Sequence, residues 1–114
     1  MDAVTFFQWN RAADVLAPLL MRSLGTGGSS SIVNVQTRAY QGSETFARHT
    51  ELGLAVEVAY REGWMRVWRG TSRLSGEDSR EALDKQSAVD LSFTAKGIRD
   101  MASLLYGYSD VGSQ

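Results

Sequence analysis

Apolar positions along this chain change period several times, and each change marks an element. Phe6, Trp9, Ala13, Leu16, Leu20 and Leu24 recur at three- and four-residue spacing, which predicts one helical face over residues 3–24. Pro18 falls inside that pattern, so a kink or two short helices meeting near residues 16–18 is expected. The Gly/Ser-rich run 25–31 reads as a helix stop followed by a linker. Residues 32–40 then alternate, with Val33, Val35, Thr37 and Ala39 on one side and Ile32, Asn34, Gln36 and Arg38 on the other, as in a strand with one buried face. Gln41–Ser43 is a turn signal, and residues 44–51 favour a second strand slightly over a helical turn.

From residue 52 the period-two pattern is strongest. Leu52, Leu54, Val56, Val58 and Tyr60 alternate with Gly53, Ala55, Glu57 and Ala59, predicting a strand. Arg61, Glu62 and Gly63 supply a tight turn with glycine placed for positive φ, and residues 64–69 return as the partner strand of a β-hairpin. Residues 75–85 are polar; Ser75 before Asp78 and Glu81 before Lys85 fit a capped helical turn as well as a solvated loop. Val89, Leu91 and Phe93 alternate as a last strand. Thr94 can cap a closing helix with Ile98, Met101, Leu104, Leu105 and Tyr108 on its buried side.

The expected architecture is a single α+β domain over residues 1–114. Its parts are a helical segment (1–24), a linker (25–31), an antiparallel sheet of four or five strands (32–93) and a C-terminal helix (94–108). Both helices are expected on one face of the sheet.

Composition narrows the function classes. At 114 residues with 43% hydrophobic and 22% charged, the chain can bury one modest core. Without cysteine there is no disulfide framework and no thiolate metal site. Asn10, Arg11 and Asp14 interrupt the first apolar run, which argues against a signal peptide or membrane span and makes a cytoplasmic protein the expectation. Net charge is −1, but residues 38–73 hold six Arg against four Glu, while residues 74–114 hold four basic against seven acidic groups. Arginine outnumbers lysine ten to two, which suits phosphate contacts and stacking and equally suits a GC-rich bacterial or phage genome.

Catalysis finds little support. His49 is the lone histidine, flanked by Arg48 and Thr50 in no known catalytic arrangement, so a non-enzymatic protein is expected. One histidine and no cysteine make a transition-metal site unexpected, residues 77–81 lack calcium-loop spacing, and the glycine run has neither the strand–loop–helix context nor the lysine of a phosphate loop. No cofactor is expected.

The 64–69 strand carries more. Trp64, Arg66 and Trp68 share one side; Met65, Val67 and Arg69 share the other, and the aliphatic pair extends the core face. Two tryptophans and an arginine would then stand on an open sheet. Such a surface accepts stacked bases or a protein partner. A one-residue change of register would instead bury both rings.

The same stretch, followed by Val89–Thr94 running into Ile98, Arg99, Asp100, Leu104, Leu105, Tyr108 and Gly112, resembles a PUR repeat and, more loosely, the Whirly and PC4 group. The resemblance covers about half the chain. It implies readout of single strands on a β-sheet and dimerisation through the helices, with Tyr60, Arg61, Trp64, Arg66, Trp68 and Arg73 as contacts. The leading expectation is a single-stranded DNA- or RNA-binding protein, homodimeric or larger, in which Trp64 and Trp68 stack bases while Arg61, Arg66, Arg69 and Arg73 meet phosphates. The alternative is a small protein-interaction or assembly factor, of a kind a phage could encode, using the same surface.

Overall fold

The computed structural model describes residues 3–25, 32–35, 49–85 and 87–107. They form an α+β fold in which helices cover one face of an antiparallel sheet. In chain order the elements are α1 (Ala3–Gly25), β1 (Val33–Val35), α2 (His49–Arg61), β2 (Met65–Arg69), β3 (Ser72–Leu74), α3 (Gly76–Asp84), β4 (Val89–Phe93) and α4 (Ala95–Tyr106). The sheet order is β1-β4-β2-β3, with every pairing antiparallel. Of the linker expected at 25–31, Gly25 belongs to α1 and the rest lies outside the described residues, as do the strand expected beyond residue 35, the 41–43 turn, residues 44–48 and Tyr108. Residues 49–51, expected as the end of a strand, open α2 instead.

Strict alternation makes the sheet one-sided. Val33, Val35, Met65, Val67, Val89, Leu91 and Phe93 are all buried, and the register lines up Val33, Leu91, Val67 and Leu74 across all four strands. α1 supplies Ala12, Ala13, Val15, Leu16, Leu19 and Leu20 to that core. Each large apolar side chain so buried contributes roughly 1.5–3 kcal/mol. α1 runs as one helix with Pro18 inside it, rather than as two. Leu24, expected on its buried face, is exposed.

The main correction concerns residues 52–60. They are not the first arm of a hairpin but most of α2. Leu52, Ala55, Val56 and Ala59 are buried at i, i+3, i+4 and i+7, whereas Leu54, the second apolar residue of the alternating set, is 41% exposed. Glu51 in the first turn and Arg61 in the last complement the helix dipole. Gly63 does adopt positive φ, at 76°, but as a helix stop. The Trp64 amide donates to the Ala59 carbonyl (2.8 Å) and the Gly63 amide to the Tyr60 carbonyl (3.0 Å), the paired bonds of a Schellman ending. The hairpin lies one element later, where β2 and β3 meet through the two-residue turn Gly70-Thr71.

Both predicted caps form. Ser75 accepts from the Asp78 amide (3.1 Å) and starts α3, a nine-residue helix with Ala82 and Leu83 buried. Thr94 accepts from the Gly97 amide (3.0 Å) and also donates its hydroxyl to the Gly63 carbonyl (2.6 Å), tying the start of α4 to the end of α2. Thr94→Ala removes both bonds at once. The expected loss is about 1–2 kcal/mol, read as a lower midpoint in urea unfolding with an unchanged slope.

Candidate nucleic-acid interface

With the helices on one face, the other face of the sheet is set by the residues between the core positions. Register places Asn34 opposite Asp90, Asp90 opposite Trp68, and Trp68 opposite Arg73, so one polar row crosses β1, β4, β2 and β3. Arg66 stands opposite Ser92 in the adjoining row. Asn34, Arg66 and Arg73 are exposed; Trp68, Asp90 and Ser92 are half-buried. Within the row the Asn34 amide donates to Asp90 Oδ1 at 2.9 Å. The Arg73 guanidinium lies over the Trp68 ring, 5.9 Å from its centroid, at the outer limit of a cation–π contact.

The seven residues expected to contact nucleic acid are therefore divided among four places. Arg66, Trp68 and Arg73 meet on the open face. Arg69 is exposed at the end of β2, in the alternation set of Met65 and Val67. Tyr60 and Arg61 belong to α2 in the helical layer; Tyr60 is half-buried and its ring edge faces Gly76 at the start of α3. Trp64 has left the surface altogether. It is 0% exposed, which corrects its assignment as a base-stacking residue.

The burial of Trp64 has a clear cause. The Schellman ending of α2 makes it the residue just past the helix, before β2 begins, so the alternation that starts at Met65 does not govern it. Its indole packs edge-on against Trp9 (centroids 6.3 Å apart, planes at 62°) and donates from Nε1 to Asp100 Oδ2 at 3.0 Å. Lys96 Nζ reaches the same carboxylate oxygen at 2.8 Å and the Glu62 carbonyl at 2.8 Å. Trp64 is a structural anchor between α1, α4 and the head of β2. Nothing in the sequence pairs Asp100 with Trp64, because only the fold brings residues 36 positions apart together.

Other surfaces offer less chemistry. A groove between α1 and α2 is lined by Ala12, Val15, Leu54 and Val58, with the Arg11–Glu51 ion pair (2.5 Å) at its rim. Among the described residues no three His, Cys, Asp or Glu side chains are gathered to hold a metal, and no helix is long and apolar enough to cross a membrane. The class defined is an α+β protein with a one-sided antiparallel sheet and an open Arg/Trp face. No family model matches the chain, and comparison with curated proteins and solved structures finds no match either.

Proposed function

We propose that this protein binds single-stranded nucleic acid, without catalysis, on the open face of its sheet. The observation that carries the reading is the grouping of Trp68 with Arg66 and Arg73 on the face that no described helix covers. A base stacks on the Trp68 indole, displacing or sharing the contact with Arg73, while Arg66 and Arg73 take the flanking phosphates. A duplex hides its base faces, so a single strand is the form this surface fits.

Fluorescence anisotropy with a labelled octanucleotide tests the reading. Two arginines at the phosphates give a slope of about −1.4 in log affinity against log salt for a single strand. Saturable binding with that slope is the expected result. Absence of binding at low salt removes the proposal.

A second reading, association with a protein partner or with another copy of the chain, draws on a different surface. Met21 is 57% and Tyr106 60% exposed, and the Tyr106 hydroxyl sits 3.6 Å from the Met21 sulfur at the ends of α1 and α4. Large exposed apolar side chains gathered in this way are typical of interfaces. Light scattering with and without oligonucleotide separates self-association there from binding on the sheet.

A further inference from the structure

The polar row that carries Trp68 also carries a carboxylate, and a carboxylate beside arginines works against phosphate binding. Asp90 stands directly opposite Trp68 on the open face. Cross-strand partners in antiparallel sheets hold their Cβ atoms about 4.5–5.5 Å apart, well within the breadth of a nucleobase. Among the described residues Asp90 is hydrogen-bonded to Asn34 through Oδ1 and is ion-paired with neither Arg66 nor Arg73. Oδ2 and the second lone pair of Oδ1 are the acceptors left over, beside the ring on which a base stacks.

We infer that Asp90, oriented by Asn34, reads the edge of the base stacked on Trp68 and selects guanine. The inference rests on the single-strand binding proposed above. Guanine alone among the four bases presents two adjacent donors, N1–H and N2–H, along its Watson–Crick edge, and a carboxylate accepts both side by side. Cytosine and adenine each offer one amino group next to a ring-nitrogen acceptor that a carboxylate repels. Thymine and uracil flank their one N–H with carbonyls. Bases in single strands are commonly read on this edge while they stack. Asn34 has its own part: by donating to Oδ1 it fixes the carboxylate plane in the row.

The test uses four labelled octadeoxynucleotides, eight thymidines and the same strand with one central guanine, adenine or cytosine. The guanine strand is expected to bind about tenfold more tightly than the others, equivalent to about 1.4 kcal/mol. Asp90→Asn should bring the four affinities within about twofold of one another while leaving all-thymidine binding unchanged or tighter. Asn34→Ala should keep the order guanine first with a smaller gap. Equal affinity of the native protein for all four strands overturns the inference and leaves single-strand binding standing. So does an Asp90→Asn protein that loses affinity for all four alike. No binding of any strand overturns the reading on which the inference rests. Because the four-strand comparison on the native protein is decisive by itself, a variant that fails to fold does not shield the inference.

Discussion

Gly97→Ala is expected to be among the most destabilising single-methyl changes available to this protein. A Cβ at residue 97 would lie about 2.1 Å from the Trp64 carbonyl oxygen and 2.8 Å from its carbonyl carbon and Cα. These are backbone atoms, so no side-chain rotation relieves the clash. The same Trp64 carbonyl accepts the Thr94 amide at 2.8 Å, and the Thr94 hydroxyl holds the Gly63 carbonyl at 2.6 Å. Moving α4 away to make room therefore breaks the junction that α4 makes with the end of α2. Overpacking in a close-packed region costs about 1–3 kcal/mol, and a backbone clash of this severity stands at or above the upper end. For a domain of this length that is a fall of roughly 10–15 °C in Tm. Calorimetry of the variant reads it directly, and an unchanged Tm would show that Gly97 and Trp64 do not pack as described.

The second large effect separates the two tryptophans that the sequence placed on one face. Trp64→Ala opens a cavity in the core and leaves Asp100 without the indole donor, so a loss of about 3–5 kcal/mol is expected. Trp68→Ala touches the open face and should cost under about 1 kcal/mol of stability. For binding the order reverses. Removing the one aromatic platform on the open face of the sheet among the described residues should weaken oligonucleotide affinity by roughly 5- to 150-fold, the equivalent of about 1–3 kcal/mol per stacked base. Urea unfolding and anisotropy on the same two variants read both effects. If Trp68→Ala binds as well as the native protein, the open face is not the binding surface.

Where the sequence carried its own local chemistry it was legible. Thr94 and Ser75 cap the helices expected of them, and the strand at 89–93 alternates as the pattern requires. The burial of Val33, Val35, Met65 and Val67 likewise followed from period two. α2 is ambiguous in the sequence because two periods share residues: Leu52 and Val56 belong to the strand pattern and to the helical one alike. The deciding residues were Ala55 and Ala59, small and easily taken for the wet side of a strand, whose burial completes a helical stripe. Gly63 carried the same ambiguity, since positive φ serves a hairpin turn and a helix stop equally. The site changes with the helix. Once residues 49–61 are helix, Tyr60 and Arg61 leave the sheet, and Trp64 becomes a helix-end residue that turns into the core. Arg66, Trp68 and Arg73 keep the open face because β2 retains the expected alternation, and β3 contributes Arg73 by pairing with it. The Asp90–Asn34 pair joins residues 56 positions apart and was visible only once the strand order was known.

The central claim is that single strands bind where Trp68 stands and nowhere near Trp64. The chain has three tryptophans, hence three indole N–H resonances, and Trp68→Phe identifies one of them by its disappearance. Titrating an octanucleotide into the ¹⁵N-labelled protein should shift the Trp68 indole signal progressively while the Trp64 signal, hydrogen-bonded to Asp100 in the core, stays in place. A titration that leaves the Trp68 signal unmoved, or that moves Trp64 instead, contradicts the account.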